Sequence, residues 1–447
     1  MSKIIFYHPP TDAKNVYSDT HGKEQIWPPH GILCVGGIVP ENWEQVLVDG
    51  RLYTDGGEST IKKEVNSADV LACSVMTGKS IKYALSVSKL AKDAGLQVIW
   101  GGPHPTIFPE ETLSCPYIDI IITGGCAEGT FSKWVNSFEK GRKPVDIHGI
   151  GYKNGNNISY IPPLFPNLST NRDLYPSPNM CLIKDFSKYL NSDNSISEKT
   201  ISHVTSVGCP YACIFCCEPA LSGRKWIHWS AKKSFFEIKR LLNLSGATGI
   251  KFHDALFFVD LKRAIDIALS IKNLKIKWGA TMHPTMLDTM SEEKLKLLQN
   301  CGLSRVMVGL ESGNQDVVNM VGKKFNVRRV PLMAKKLSNV GIVGMFTFIV
   351  GFPKAPKEEY KDTINTAEMI YNIWDQHQIK IHFASPWPGT KLWELSSTLQ
   401  NFTYPQALED WATYDYYLPQ QKFHDKTWEA AINEINKKMC PYYHSGR

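Results

Sequence analysis

The stretch that decides the fold contains three closely spaced cysteines, and it reads Val207-Gly208-Cys209-Pro210-Tyr211-Ala212-Cys213-Ile214-Phe215-Cys216-Cys217. Cys209, Cys213 and Cys216 have the spacing C-x3-C-x2-C, with an aromatic residue directly before the third. Residues 201–206, just upstream, are rich in β-prone side chains. The cysteines are therefore predicted on a loop that leaves a strand.

The number of cysteines indicates which metal group they hold. An ordinary four-iron cluster takes four thiolates, so three thiolates hold three irons and leave the fourth open to a small molecule. A structural zinc ion would need a second ligand pair nearby, and neither Cys217, His203 nor His228 makes a standard one. We therefore predict a [4Fe-4S] cluster on the three cysteines, with Cys217 as a non-ligand. A zinc site or buried free thiols are the alternatives.

The composition describes an ordinary globular protein, long enough for two or three domains. Of its 447 residues, 43% are hydrophobic and 21% are charged, and the net charge is +7. No block of five or more basic residues occurs, so nucleic acid is not indicated as a partner. A secretory pattern is absent, no apolar run approaches the ~18 residues of a membrane span, and the cysteines are not evenly paired. These features predict a cytoplasmic location without a membrane span.

Strand-like and helical stretches alternate over residues 1–140. Strands are predicted at 3–8, 45–48, 70–74, 97–100 and 118–122, with the clearest helices at 80–94 and 130–138. Such alternation predicts a parallel sheet covered on both faces, here a flavodoxin-like, doubly wound (Rossmann-type) α/β domain. Its ligand site would lie at the carboxyl ends of the strands.

Glycine-rich loops follow three of these strands, where a bulky ligand can approach the backbone closely. Tight turns of any α/β domain are the alternative for each loop alone. The loops are Ser74-Val75-Met76-Thr77-Gly78, Gly101-Gly102-Pro103-His104-Pro105-Thr106 and Gly124-Gly125-Cys126-Ala127-Glu128-Gly129-Thr130-Phe131.

Residues 141–199 are rich in Pro, Asn, Ser and Gly and are predicted to form a linker. Over residues 200–395, strands are predicted at 201–206, 249–253, 275–279, 305–309, 343–350 and 378–384, with helices between them. Six β/α units fall short of the eight of a full barrel and predict a partial (β/α)6 TIM-like barrel. Residues 396–447 form a C-terminal extension, predicted as a substrate lid or as packing against the barrel bottom. It is rich in Trp and Tyr, and its aromatic residues include Trp411, Tyr414, Tyr416, Tyr417, Trp428, Tyr442 and Tyr443.

Together these motifs resemble the cobalamin (B12)-dependent radical S-adenosylmethionine (SAM) enzymes. The cysteine spacing resembles the radical SAM signature, and the three loops resemble those of the family's N-terminal cobalamin-binding domain. The third loop departs from the family pattern at Cys126 and Ala127. The resemblance implies three cofactors: a [4Fe-4S] cluster, SAM on its open iron, and cobalamin between the domains.

The resemblance also implies the residues of each site. Asp254, beyond the second barrel strand, would touch SAM or substrate as a catalytic residue. SAM would be bound by Phe215, Glu311, Ser312 and Pro353, and the turn at residues 386–390 would close the barrel mouth. Cobalamin would be bound by Ser74, Met76, Thr77, Gly101, Gly102, Pro103, His104, Thr106, Gly125 and Glu128.

Several of these residues also have simpler interpretations. Ser312 or Asn314 is an alternative helix N-cap. Arg305 and Lys323 are candidate partners for a carboxylate or, alternatively, solvated charges. His148 lies in a D-x-H-x-x-G string but follows the last helix of the first domain, so we interpret it as a linker residue. Cobalamin would then lack a protein histidine below the metal, with Met76 or its neighbours lining that face.

The activity implied is methyl transfer from methylcobalamin to an unactivated carbon of a small-molecule or natural-product substrate. The 5′-deoxyadenosyl radical would first abstract a hydrogen, and an electron donor such as a flavodoxin or ferredoxin would reduce the cluster. A peptide substrate is also open. The alternatives are a cyclase or rearrangement enzyme with both cofactors, a radical SAM enzyme with a vestigial cobalamin domain, and a zinc-stabilised or electron-carrying module.

Overall fold

The computed structural model describes residues 1–11, 23–155, 157–165, 172–397, 405, 407–413 and 426–440. Five of the aromatic residues named above for the C-terminal extension lie outside this part of the chain: Tyr414, Tyr416, Tyr417, Tyr442 and Tyr443.

The N-terminal half is built on a seven-stranded sheet in the order β2-β1-β3-β4-β5-β6-β7. The first five strands run parallel in the flavodoxin-like order, and β6 and β7 are added antiparallel. The strands are β1 (Lys3–His8), β2 (Glu44–Asp49), β3 (Val70–Ser74), β4 (Gln97–Gly101), β5 (Ile120–Ile122), β6 (Ile150–Asn154) and β7 (Asn157–Ile161). The helices are α1 (His30–Gly36), α2 (Glu58–Glu64), α3 (Ser80–Asp93), α4 (Pro103–Ile107), α5 (Pro109–Ser114) and α6 (Glu128–Glu139).

Alternation along the strands explains why helices cover both faces of this sheet. In β1, Ile4 and Phe6 join the core beneath α1 and α6, whereas Ile5 and Tyr7 join the core beneath α3. Successive side chains of a strand point to opposite faces, so a strand buried on both sides needs apolar residues throughout.

The hairpin β6–β7 falls within residues 141–199, the stretch that the sequence predicts as a linker. Ile150, Gly151 and Tyr152 pair with β5 and extend the first sheet. The predicted domain boundaries are not tested by this arrangement and remain predictions.

The C-terminal half is built on a six-stranded, all-parallel sheet in the order β15-β14-β13-β12-β11-β8. Its strands are β8 (Thr200–His203), β11 (Gly249–Phe252), β12 (Lys277–Met282), β13 (Leu303–Glu311), β14 (Val343–Val350) and β15 (Gln378–Phe383), and β9 (Ser206–Val207) and β10 (Ile227–His228) form a small hairpin. The helices are α7 (Glu218–Ser222), α8 (Ala231–Ser245), α9 (Leu261–Ile271), α10 (Pro284–Thr289), α11 (Glu292–Asn300), α12 (Gln315–Met320), α13 (Val330–Val340), α14 (Glu359–Ile373), α15 (Lys391–Ser397) and α16 (Glu429–Met439).

The third barrel strand differs in position from its prediction at residues 275–279. Lys275 adopts a positive φ of 54° after the preceding helical turn, so β12 begins at Lys277 and continues to Met282. The strand therefore extends three residues further toward its carboxyl end than the sequence predicts.

Helix α16 covers the edge of the barrel sheet. The Asn436 side chain accepts a hydrogen bond from the Ile381 amide at 2.8 Å and donates to the Ile381 carbonyl at 2.9 Å. These contacts satisfy backbone groups of β15 that a further strand would otherwise pair. No helix in the described part of the chain is long and apolar enough to cross a membrane.

Candidate functional site

The cysteine loop begins where the β9–β10 hairpin holds its two ends together. Gly208 adopts a φ of 86°, and a Cβ atom built there would lie 2.0 Å from the Lys225 carbonyl oxygen. Only glycine fits this left-handed, closely packed position. The loop is further held by the Ile214 amide, which donates to the Val321 carbonyl at 3.3 Å.

The three predicted cluster ligands lie on this loop in a largely buried environment. Burial raises the pKa of the Cys209 and Cys213 thiols, and it raises the pKa of the Cys216 thiol to about 12. Metal binding requires thiolates, so only a strongly cationic group bound there would keep all three ionised at neutral pH. Within the described ranges, no three His, Cys, Asp or Glu side chains are grouped to ligate a single metal ion.

A buried ion pair flanks the loop. Nζ of Lys323 lies 2.8 Å from Oε1 of Glu311, and the two side chains are 11% and 7% exposed. Although burial alone would lower the pKa of Lys323, Glu311 and the neighbouring thiols Cys213 and Cys216 raise it above its usual value. Lys323 is therefore a cation between a carboxylate and two of the predicted cluster ligands.

The carboxylate of Asp254 holds the chain just before the cysteine loop. It accepts hydrogen bonds from the Thr205 amide at 2.8 Å, the Thr205 hydroxyl at 2.7 Å and the Ser206 hydroxyl at 2.5 Å. Asp254 is 2% exposed. Burial raises the pKa of its carboxyl, and the hydrogen bonds from Thr205 and Ser206, which lower the pKa, offset this only in part. The contacts of Asp254 are thus with the backbone and side chains that position the loop.

Phe215 lies beside the segment that follows β14, as the predicted SAM site requires. Its ring centroid is 6.0 Å from that of Phe352, and Pro353 follows on the same turn. The buried carboxylate of Glu359 anchors this turn by accepting from the Gly351 amide at 2.5 Å. The turn therefore has a fixed position relative to the cysteine loop.

Ser312 follows Glu311 at the end of β13 and is fully buried. Its hydroxyl lies 3.3 Å from the Thr363 hydroxyl and accepts from the Asn314 amide at 3.1 Å. The N-cap of α12 is Asn314, whose side chain accepts from Asp316 and Val317. The other candidate, Arg305, lies near the start of β13 and pairs with Asp193 at 2.6 Å.

A cavity of about 330 Å³ lies between the carboxyl ends of the first sheet and the beginning of the barrel. From the first sheet, seven of the ten predicted cobalamin residues line it: Ser74, Gly101, Gly102, Pro103, Thr106, Gly125 and Glu128. From the barrel, the lining residues include His203, Val204, Val207, Glu218, Leu221 and Trp229. The Gly125 amide donates to the Leu221 carbonyl at 2.7 Å, so the two halves are in direct contact at the cavity wall.

Three predicted cobalamin residues do not line this cavity. The Thr77 hydroxyl lies 2.9 Å from Nδ1 of His104, and both side chains are buried. The His104 ring packs near Phe108 and Trp411, and Met76 is half-buried in the same turn. These residues fix the shape of the loops after β3 and β4.

Sequence reasoning missed Arg172 and, apart from Ser74, the residues that line a second cavity. Arg172, from the weakly patterned stretch between the domains, forms a buried ion pair with Glu128 at the cavity wall. A second cavity of about 270 Å³ adjoins the first and is lined by His8, Trp27, Pro28, Pro29, His30, Gly31, Ile32, Arg51, Ser74 and His253. No pattern in the sequence connects these residues, because they come from loops that are distant along the chain.

Comparison with known proteins agrees with this arrangement. The family model of the Radical SAM superfamily matches residues 203–367, and that of the B12 binding domain matches residues 23–132. The fold and the two sites thus define a radical SAM protein with a cobalamin-binding domain.

The chain is 30% identical over 449 residues to a protein of Pyrococcus horikoshii named an uncharacterized methyltransferase, covering 99% of this chain and 92% of that relative. The chain belongs to the cobalamin-dependent radical SAM family. The predicted family and its cofactors, a [4Fe-4S] cluster, SAM and cobalamin, are confirmed by these matches.

Two further similarities are weaker in sequence. The chain is 23% identical to the anaerobic magnesium-protoporphyrin IX monomethyl ester cyclase of Rubrivivax gelatinosus, over 94% of this chain and 73% of that protein. The structure of the cobalamin-dependent SAM radical enzyme OxsB, with aqua-cobalamin and SAM bound, superposes with a TM-score of 0.75 at 16% identity, covering 97% of this chain and 66% of that one. The second similarity confirms the predicted fold class.

Proposed function

We propose that the protein is a cobalamin-dependent radical SAM methyltransferase that acts on an unactivated carbon of a small molecule. The observation that carries this proposal is the cavity of about 330 Å³, because the glycine-rich loops and the residues flanking the cysteine loop line it together. A methyl donor and a radical source must meet at one substrate, and parallel sheets bind ligands at their carboxyl ends. The similarity to a relative named a methyltransferase supports the choice of reaction.

The residues present fit the two cofactors. Gly102 has a φ of 100°, and a Cβ atom there would lie 2.9 Å from the Val75 carbonyl oxygen. Only glycine fits this position, and without a side chain the backbone of the loop is open to a ligand. Cys209, Cys213 and Cys216 supply the thiolates for a cluster with one open iron. When bound, the cluster supplies the electron that cleaves SAM, and cobalamin supplies the methyl group.

The chain itself supplies position and charge. Lys323 places a positive charge beside the thiols, which favours their ionised form and the anionic carboxylate of SAM. Phe215 and the turn at Phe352 and Pro353 offer an apolar wall for the adenine. Asp254 fixes the strand end from which the cysteine loop departs, so we assign it a positioning role.

We place the substrate in the second cavity, which adjoins the first along Ser74 and His30. Trp27 offers a flat face there, with the His253 ring centroid at 5.1 Å and Nζ of Lys251 at 5.1 Å from its centroid. A cavity of about 270 Å³ suits a small molecule or one residue of a peptide. An external donor such as a flavodoxin or ferredoxin is proposed to reduce the cluster.

The test is an anaerobic turnover with the reconstituted full chain, reductant, hydroxocobalamin and SAM, with the Cys213→Ala variant as control. Formation of both 5′-deoxyadenosine and S-adenosylhomocysteine, absent from the control, is the expected result. A wild-type protein that retains corrinoid but forms no S-adenosylhomocysteine, with candidate substrates present, would contradict methyl transfer.

A second candidate function is ring closure or another rearrangement without methyl transfer. The similarity to the Rubrivivax cyclase over 94% of the chain favours it as the alternative. Product mass separates the two reactions, since methylation adds one CH2 unit to the substrate and ring closure does not.

A further inference from the structure

Arg172 is a buried arginine whose hydrogen-bond donors are only partly used. Its side chain is 3% exposed, and Nη2 donates to Oε1 of Glu128. Nε and Nη1 are buried and have no partner in the described part of the chain. A guanidinium group carries five N–H bonds, so three of them lack an acceptor here.

The position of this guanidinium group is fixed from three sides. Glu128 holds one edge, the Cys34 sulfur lies 3.5 Å from Nη2, and the ring of Trp229 lies 4.9 Å from the central carbon. Glu128 begins α6, Cys34 belongs to α1, and Trp229 belongs to the barrel half. Arg172 is therefore held in place independently of any ligand, and it lines the cavity of about 330 Å³.

A second unpaired polar group lines the same cavity. His203 is 1% exposed, and neither of its ring nitrogens has a hydrogen-bond partner among the described residues. Buried polar groups are normally paired, so two such side chains in one cavity indicate a ligand with polar atoms. The acceptor for Arg172 must be strong, since a buried guanidinium favours anionic oxygens.

Much of the rest of the cavity lining is apolar. Phe6, Ala72, Ile99 and Ile122 face it from the sheet, and Phe131 faces it from α6. The cavity thus combines an apolar slot beside the sheet with a cation at its edge. Cobalamin has one anionic group, the phosphodiester of its nucleotide tail, and that tail ends in a flat aromatic base.

We propose that Arg172 binds the phosphodiester of the cobalamin nucleotide tail, and that Glu128 positions Arg172 for this contact. The inference rests on the assignment of cobalamin to this cavity and goes beyond it by naming the anion-binding side chain. It also gives Glu128 a different role from the predicted direct contact with cobalamin. The Arg172 side chain comes from the stretch between the two sheets, so the stretch becomes part of the cofactor site.

The test compares two corrinoids on the same protein preparation. Hydroxocobalamin carries the nucleotide tail. Diaquacobinamide has the same corrin ring but lacks the phosphodiester, the ribose and the base of that tail. Each is titrated into the full-length wild type, Arg172→Gln and Arg172→Lys, with binding followed by tryptophan fluorescence quenching. Since both dissociation constants come from one preparation, any loss of folded protein affects them equally.

We expect Arg172→Gln to weaken hydroxocobalamin binding about tenfold or more, because a charge-assisted hydrogen bond to phosphate is lost. Binding of diaquacobinamide should change by less than about threefold, and Arg172→Lys should retain part of the preference for the complete tail. The matched control is Arg305→Gln, which removes a buried arginine that pairs with Asp193 and does not line this cavity. It should leave the ratio of the two dissociation constants, for hydroxocobalamin and diaquacobinamide, unchanged.

Two outcomes would overturn the inference. Equal weakening of both corrinoids in Arg172→Gln would mean that Arg172 supports the fold or the corrin ring. Unchanged dissociation constants for both corrinoids in both Arg172 variants would mean that the tail does not reach this residue. A wild-type protein that binds neither corrinoid would instead overturn the cobalamin assignment itself, which the same titration reveals.

Discussion

Nζ of Lys323 lies 2.8 Å from Oε1 of Glu311, in a buried pair that joins the segment after α12 to the end of β13. Glu311 adopts a positive φ of 66°, which is uncommon for a residue with a side chain. Strained backbone of this kind persists only where surrounding contacts hold it, and the ion pair is one such contact. The pair therefore couples the geometry of the predicted SAM segment to the charge beside the cluster ligands.

Lys323→Gln should destabilise the apoprotein by on the order of 3 kcal/mol, because it leaves the carboxylate of Glu311 buried without a cation. The double variant Lys323→Gln/Glu311→Gln should recover part of this loss. The free energies of unfolding in urea of these two variants, of Glu311→Gln and of the wild type form a double-mutant cycle. Lys262→Gln, which breaks an exposed pair with Asp266, is the control and should have little effect. Simple addition of the two single effects would show that the ion pair is not coupled.

The cysteine assignments are tested by iron content after anaerobic reconstitution. Alanine at Cys209, Cys213 or Cys216 should abolish binding of the roughly four irons per chain that one cluster contains. Cys217→Ala should retain them, because Cys217 is the N-cap of α7 and its carbonyl accepts from the Ala220 and Leu221 amides. Equal loss of iron in Cys217→Ala would identify it as a further ligand.

Much of the architecture could be predicted because each β/α unit has its own local pattern. In β14, residues 343–350 are mostly apolar and β-prone, and the structure gives the strand the same bounds. The glycine-rich loops were also predictable, since Gly102 and Gly124 need positive φ values of 100° and 98°. These features depend on neighbours within a few residues.

Contacts that depend on distant parts of the chain could not be predicted. Arg172 and Glu128 are 44 residues apart in sequence, and they form their ion pair only in the folded chain. Similarly, Trp27 and His253 come together at the boundary between the two halves, over 200 residues apart in sequence. Hydrophobic periodicity carries no information about which loops meet, so polar pairs of this kind appear only in the folded structure.

Asp254 offers a direct comparison between the role predicted from resemblance and the role proposed from its contacts. Asp254→Asn should lower the free energy of unfolding by roughly 2 kcal/mol, because a buried amide cannot accept all the hydrogen bonds from Thr205 and Ser206. The dissociation constant for SAM should change by less than about threefold, whereas SAM cleavage should slow. Equilibrium binding and 5′-deoxyadenosine formation measure the two effects. A tenfold or greater weakening of SAM binding would instead support direct contact.

Glu359 makes the stability of the barrel mouth dependent on pH. Burial raises the pKa of this carboxyl from 4.5 to about 7, even though the Gly351 and Phe352 amides donate to it. Because the folded-state pKa lies above the unfolded value, the stabilisation from the protonated form is complete below pH 4.5 and is lost as pH rises through about 7. Its full size is on the order of 3 kcal/mol.

Glu359→Gln should remove this dependence, since the amide remains neutral at every pH. Thermal unfolding of the apoprotein between about pH 5.5 and 8.5 should therefore show a fall in wild-type stability that the variant lacks. Glu358→Gln, at the exposed neighbouring position, is the control and should follow the wild type. If Glu359→Gln kept the wild-type pH profile, Glu359 would not be the titrating group, and its hold on the Gly351 turn would be independent of its charge.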